Sequence, residues 1–350
     1  MPLRVVQFGL GPIGQATARL VLTRPGLNLV GALDLDPARV GRDVGEVLGQ
    51  APTGVVVRSD AADALAELRP DVVLHTTLSF LGAIEEQLLA CIRAKAHVVS
   101  SSEELFWPFE RDPAFSQRID AAAQAAGVAV VGTGVNPGFV MDLLPVVLSG
   151  VVARVDRLDI RRSVDAGRRR GPLQMKVGAG LSVEAFRARE AAGGFGHIGM
   201  IESARAVAAG MGWTGRGVTF RETFAPHLAE TSHTTDFVQV EPGQVAGIYQ
   251  TAAVDVDGVE RATLALTMAV GAPDEDRVRI TGDPNLSVVV EGGTFGDTAT
   301  VAAVVNAVPR VAASRPGLRT VLDLPAAAVG GTESTRLLRR LDYVSAASAA

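Results

Sequence analysis

The chain is short of several things, and each shortage removes a class of protein. A single cysteine, Cys91, leaves no internal disulfide to form and excludes a stapled secreted scaffold. Its place in the helical run Glu85–Ala94 reads as that of a small buried apolar residue. Lys95 and Lys176 are the only lysines, and a net charge of −5 offers no broad attraction to nucleic acid or anionic lipid. No apolar run approaches the roughly 18 residues that would span a bilayer, and no signal peptide opens the chain; a cytoplasmic protein is expected. His75, His227 and His233 have no Cys or His neighbour at ligand spacing, so no metal site is expected. No internal repeat is present. What remains is 350 residues, 47% hydrophobic with a mean hydropathy of +0.25, more than one core usually holds; two domains follow.

The densest signal lies at the start. Val5-Val6-Gln7-Phe8 reads as a strand and runs into Gly9-Leu10-Gly11-Pro12-Ile13-Gly14, the G-x-G-x-x-G spacing, ahead of a helical stretch from Gln15. Gly9 allows the tight turn, Gly11 lets backbone amides approach a pyrophosphate, and Gly14 lets helix and sheet pack closely, with the helix N-terminus turned to the phosphates. A second strand, Leu27–Leu33, ends at Asp34, 20 residues beyond Gly14, where the acid that binds the adenosine ribose is expected. Asp34 suits the hydroxyls of NAD, whereas Arg39 and Arg42 suit the 2′-phosphate of NADP; the residues leave both open.

The alternation continues with strands at Gly54–Arg58, Asp71–Thr76, His97–Ser101 and Val128–Val131, and with helices at Ala61–Leu68, Ile84–Ala94 and Asp120–Ala126. This predicts an α/β, doubly wound parallel sheet of the Rossmann type over residues 1–140, with Thr76 and Thr77 closing the fourth strand at the cofactor crevice. Gly132–Phe139 forms a rigid turn into a helix at Met141–Leu148. Over residues 141–312 the pattern changes. A strand at Val155–Ser163, a basic loop at Ala166–Lys176, a helix to about Ala209, strands at Asp236–Val240, Val245–Val256, Glu260–Val270, Asp276–Ile280 and Leu286–Val290, and a helix at Thr298–Ala307 with Asp297 as N-cap predict an α+β domain on a mainly antiparallel sheet. Residues 313–350 form a C-terminal segment returning to the first domain, with a last helix at Glu333–Leu341 and a frayed Ala- and Ser-rich end after Val344.

Three constellations carry chemistry. Glu103 and Glu104 stand at a strand's carboxyl end ahead of Leu105-Phe106-Trp107, where a carboxylate can sit in an apolar cleft; the same acids suit the first turn of a helix. Arg168, Arg169 and Arg170 can hold an acidic ligand, a neighbouring carboxylate or solvent. His197, between glycines, suits a structural hydrogen bond or a catalytic one.

Taken together, Gly9–Gly14, Ser101–Leu105, Gly132–Phe139, Gly171–Gly180, Gly196–Ser203, Gly292–Thr300 and Arg315–Leu318 resemble the NAD(P)-dependent 2,4-diaminopentanoate dehydrogenases and related amine dehydrogenases, distant relatives of dihydrodipicolinate reductase. The resemblance implies a catalytic glutamate after the fifth strand, Glu103 or Glu104 with Glu103 preferred. It also implies Asn136 beside the nicotinamide, and Phe139, His197 and Leu173 as pocket residues. It further implies NAD or NADP, an amine or carbonyl substrate with ammonia, and a homodimer. The His-His pair before a lysine that dihydrodipicolinate reductases carry is missing: Arg169-Arg170 precede Lys176 instead, which argues against that substrate.

Overall fold

The computed structural model describes residues 1–193 and 195–330. The helix expected at Glu333–Leu341 and the end after Val344 lie outside the described residues. The chain divides into two compact units, Met1–Gly138 with the chain from Gly296 on, and Phe139–Phe295.

The first unit opens with β1 (Leu3–Phe8), α1 (Pro12–Thr23), β2 (Leu27–Leu33), α2 (Val44–Leu48), β3 (Val57–Arg58), α3 (Ala61–Leu68), β4 (Val72–His75), α4 (Leu81–Arg93), β5 (His97–Ser100), α5 (Pro113–Ala126) and β6 (Ala129–Gly132). The strands are short, almost wholly buried apolar runs, as parallel strands covered on both faces must be. Val6, Phe8, Val73, Val98 and Val130 of the sheet pack with Ile84, Leu88 and Cys91 of α4 and Phe115 and Ile119 of α5. Cys91 is fully buried, and that burial pushes its thiol up to about 12, as expected of an inert apolar filler. The fifth helix starts earlier than its apolar pattern suggests, because Asp112 accepts a hydrogen bond from the Phe115 N–H and Pro113 takes the first turn.

The second unit contains α6 (Leu143–Ser149), β7 (Arg154–Asp165), α7 (Gly171–Lys176), α8 (Val183–Ala191), α9 (Met200–Gly210), β8 (Val218–Leu228), a small pair β9 (His233–Thr234) and β10 (Gln239–Val240), then β11 (Val245–Val256), β12 (Val259–Ala269), β13 (Glu275–Asp283) and β14 (Leu286–Glu291). Its main sheet runs β14-β13-β7-β12-β11-β8, antiparallel throughout except where β12 pairs parallel with β7. Three features depart from expectation. Residues 166–176 are not a loop: Asp165 caps a 3-10 turn at Ala166–Arg168 by accepting from the Gly167 N–H, and Pro172 starts α7. The edge strand β8 and the Ser182-capped helix α8 have no clear counterpart in the apolar pattern, because β8 is largely exposed and carries Pro226, and α8 buries only Phe186.

The chain returns to the first unit through α10 (Gly296–Val311) and β15 (Gly317–Arg319). Asp297 lies inside the first turn of α10 rather than at its cap, where it still complements the helix dipole. β15 pairs parallel with β6 and completes a seven-stranded sheet of order β15-β6-β5-β4-β1-β2-β3, whose direction of winding reverses between β1 and β4. No helix among the described residues is long and apolar enough to cross a membrane.

Candidate active site

The crevice at the carboxyl ends of β1 and β4 is built around the glycine turn. Gly14 has no room for a side chain: a Cβ there would lie 1.9 Å from the Gly9 carbonyl oxygen and 2.7 Å from Thr76 Oγ1. Gln7, buried on β1, donates from Nε2 to Gly9 O at 2.9 Å and to Thr76 Oγ1 at 2.8 Å, so the turn is pinned from two strands. Gly11, by contrast, faces open space, and no side chain caps α1, whose first turn is Pro12, Ile13 and Gly14. An uncapped helix N-terminus beside open room at the second glycine is what a pyrophosphate requires, so these residues fit a bound dinucleotide.

Asp34 stands at the end of β2. One carboxylate oxygen accepts from the Leu10 N–H at 2.6 Å and from Arg39 Nη1 at 3.2 Å, and the other accepts from the Asp36 N–H at 2.8 Å. Partial burial works against its ionisation, but the Asp36 and Leu10 N–H groups and the Arg39 guanidinium outweigh it and hold the carboxyl below its usual value.

The two glutamates after β5 separate. Glu104 is buried, one carboxylate oxygen accepting from the Leu81 N–H at 2.9 Å and the other facing Arg111 Nη1 at 3.0 Å. It anchors the start of α4, which no side chain of its own caps. Glu103 is partly exposed, and its carboxylate makes no hydrogen bond or ion pair among the described residues. The loop that carries both is fastened to Ser79 O by Ser102 Oγ at 3.0 Å and by the Glu104 N–H at 3.2 Å.

Asn136 follows β6, and neither Oδ1 nor Nδ2 of its buried amide has a partner among the described residues. Such an amide is a donor–acceptor pair awaiting a ligand. Its turn is held by Gly138, at φ +135°, where a Cβ would lie 2.1 Å from the Gly134 nitrogen.

Beneath Thr77 lies a polar group that sequence reasoning missed. His75, fully buried at the end of β4, places Nδ1 2.9 Å from Ser100 Oγ and Nε2 2.7 Å from Gln87 Oε1, with Thr77 Oγ1 2.9 Å from Nε2. The available signal was a histidine inside an apolar parallel strand, where a polar side chain must be partnered. Burial, partly opposed by the Gln87 hydrogen bond, pushes His75 down to about 4. The unfolded chain binds that proton near the ordinary value of 6.5 and the folded one does not, so stability is lost as pH falls from about 6.5 to about 4, by roughly 3 kcal/mol at about 1.4 kcal/mol per unit. Urea melts across that range should show the loss, and His75→Asn should flatten it; an unchanged slope would mean that other groups set the acid limit.

In the second unit, Phe139 is 43% exposed and Leu173, on α7, packs against that unit's core. The backbone of His197 is clamped by Gln250, which accepts from its N–H at 3.1 Å and donates to its carbonyl at 2.9 Å. Arg168 pairs with Asp274 at 2.7 Å, and Arg169 is buried with its guanidinium 4.5 Å from the centre of the Phe295 ring. Both line a cleft of about 370 Å³ of atom-free space, together with Asp165, Asp274 and Thr294. Beside it Arg162, also buried, is neutralised by Asp276 at 2.8 Å.

Comparison with known proteins agrees with this geometry. Residues 3–103 match the N-terminal domain of dihydrodipicolinate reductases, and residues 139–338 match the C-terminal domain of 2,4-diaminopentanoate dehydrogenase. The chain is 31% identical to a 2,4-diaminopentanoate dehydrogenase of Acetoanaerobium sticklandii over 92% of its own length and 93% of the relative's. It is 30% identical to an amine dehydrogenase of Streptomyces virginiae over 44% of each chain. The solved structure of an amine dehydrogenase from Mycobacterium smegmatis superposes with a TM-score of 0.80 at 27% identity, covering 94% of this chain and 97% of that one. A first unit of the dihydrodipicolinate-reductase kind, a second unit matched along its whole length and a relative 31% identical over nearly the full chain converge: the chain belongs to the 2,4-diaminopentanoate dehydrogenase family, dehydrogenases that act on an amino donor.

Proposed function

We propose that this protein catalyses the reversible oxidative deamination of an amine or diamino acid, equivalently the reductive amination of a ketone or aldehyde with ammonia, using NAD or NADP. The observation that carries the reading is the Glu103 carboxylate, which has no partner among the described residues at the carboxyl end of β5 while its neighbour Glu104 is fixed in place. The nicotinamide, when bound, takes or gives the hydride. Gly9, Gly11, Pro12, Ile13 and Gly14 receive the pyrophosphate, Asp34 and Arg39 the adenosine ribose, and Thr76 and Thr77 wall the crevice. Asn136 supplies the amide that orients the nicotinamide carboxamide. Glu103 takes a proton from the substrate ammonium before hydride leaves its carbon and passes it to solvent, so that the carboxylate then stabilises the cationic imine. As water adds, it moves the protons that allow ammonia to depart. Phe139 and His197 are assigned to the substrate, and a homodimer is the working assembly.

The arginines of the second-unit cleft already face Asp274, Asp276 or Phe295, so the geometry does not demand a substrate carboxylate. The test is a panel of alkyl amines, diamines and diamino acids with NAD and NADP, and of carbonyl compounds with and without ammonia. Ammonia-dependent oxidation of the reduced cofactor is expected. Carbonyl reduction that ignores ammonia would overturn the proposal in favour of a simple C=O reductase.

A further inference from the structure

Gln7 on β1, His75 on β4 and Ser100 on β5 are buried polar residues of the first unit's sheet; His75 and Ser100 share one face, whereas Gln7, opposite Leu74, lies on the other. His75 and Ser100 form the middle of a directed chain of hydrogen bonds. The Ser102 N–H donates to Ser100 Oγ at 3.1 Å, and Ser100 Oγ lies 2.9 Å from His75 Nδ1. On the other side of the ring, His75 Nε2 and Thr77 Oγ1 both reach Gln87 Oε1 at 2.7 Å. With Gln87 offering its carbonyl oxygen, Nε2 carries the proton and Nδ1 accepts from the Ser100 hydroxyl, so every member of the chain is satisfied only by one neutral tautomer.

Each end of the chain terminates on a segment that the proposed reaction uses. One end fixes the backbone of Ser102, next to Glu103. The other fixes the side chain of Thr77 in the cofactor crevice and ties it to α4. β4 and β5 pair with His75 opposite Ser100, so the ring bridges two strand ends at the same level of the sheet. Substitution of an apolar residue would fill the space equally well and would leave both loops without this fastening.

We infer that His75 is a positioning residue with two separable arms, an Nδ1 arm that sets the Glu103 loop and an Nε2 arm that sets the Thr77 side of the cofactor crevice. The inference rests on the proposed roles of Glu103 and Thr77. Because the side-chain amides of Asn and Gln fall near Nδ1 and Nε2 of histidine respectively, the arms can be cut one at a time. His75→Gln keeps a partner for Gln87 and Thr77 and abandons Ser100; kcat should fall roughly 10- to 10²-fold, with the cofactor's dissociation constant nearly unchanged. His75→Asn keeps a partner for Ser100 and abandons Gln87; the dissociation constant should rise about 10-fold while kcat at saturating cofactor is largely kept. Ser100→Ala and Gln87→Met cut the same two arms without touching the ring and should reproduce the split, which covers the case in which a His75 variant fails to fold. A histidine with a merely structural role would lower the melting temperature and scale both parameters together in both variants, and that result would overturn the inference. Glu103→Gln is measured alongside. If it abolishes turnover and the split is absent, this inference alone fails; if it leaves turnover near native, the functional reading fails and the inference goes with it.

Discussion

Glu103→Gln is expected to lower turnover by roughly 10²–10⁴-fold, the usual share of general acid–base catalysis, while leaving the cofactor's dissociation constant almost unchanged. The substitution keeps the volume and one carbonyl oxygen and removes only the group that can gain and lose a proton at working pH. Nothing in the protein relies on that carboxylate for a hydrogen bond or ion pair among the described residues, so its loss should leave the melting temperature in place. Glu104→Gln should behave in the opposite way. Its carboxylate receives the Leu81 N–H at the start of α4 and faces Arg111, and an amide can satisfy only part of that arrangement. A loss of about 1–2 kcal/mol of stability is expected, with turnover per folded molecule retained. Stopped-flow reduction of NAD and thermal melts on both variants separate the two roles. If both keep near-native turnover, the acid pair is only a helix start and the proton must travel by another route; if only Glu104→Gln loses turnover, the roles are reversed.

The contrast between these neighbours shows what the sequence could carry and what it could not. That two adjacent acids follow the fifth strand at the crevice is legible, because strand ends in a doubly wound sheet face it. That Glu104 is held in place is not legible, because it depends on Arg111 and on the start of α4, partners that no local spacing reveals. The same division runs through the fold. The strand Leu27–Leu33, the helix Ala61–Leu68 and the long strand Val245–Val256 were read to the residue, since buried runs and clean amphipathic periods write themselves into sequence. The exposed edge strand β8 alternates at Val218, Phe220 and Phe224, but Glu222 and Pro226 break into the apolar set and blunt the signal. Residues 166–176 read as a loop from their glycines and arginines, whereas the Asp165 cap makes a 3-10 turn of the first part and Pro172 starts α7 in the second. In the sequence His75 reads only as a histidine without metal-site neighbours. Its role depends on Ser100 and Gln87, which are separated from it by 25 and 12 residues and meet it only because β4, β5 and α4 are assembled.

Cofactor choice should turn on a competition for one carboxylate. Asp34 has about four acceptor positions, of which the Leu10 and Asp36 N–H groups and the Arg39 guanidinium fill three. The adenosine ribose of NAD brings two hydroxyl donors, so one position must be vacated. The two N–H groups belong to the backbone, whereas Arg39 is a long side chain shared with Asp36 at 3.3 Å, so Arg39 is the group that moves. With NADP the same guanidinium turns to the 2′-phosphate, which its planar fork suits, but Asp34 is left facing a second negative charge. Asp34→Ala should therefore weaken NAD by roughly 10- to 10²-fold, the worth of a charge-assisted hydrogen bond or two, and leave NADP unchanged or tighter. Arg39→Ala should do the reverse, weakening NADP and freeing Asp34 for the ribose of NAD. NADP binding by the native protein should also fall more steeply with added salt than NAD binding, because only the phosphate–guanidinium contact is screened. Fluorescence titration of NADH and NADPH at two ionic strengths measures all of these. Equal losses for both cofactors in Asp34→Ala would show that the carboxylate serves the glycine turn through Leu10 rather than the ribose, and the selectivity would then have to reside elsewhere in the crevice.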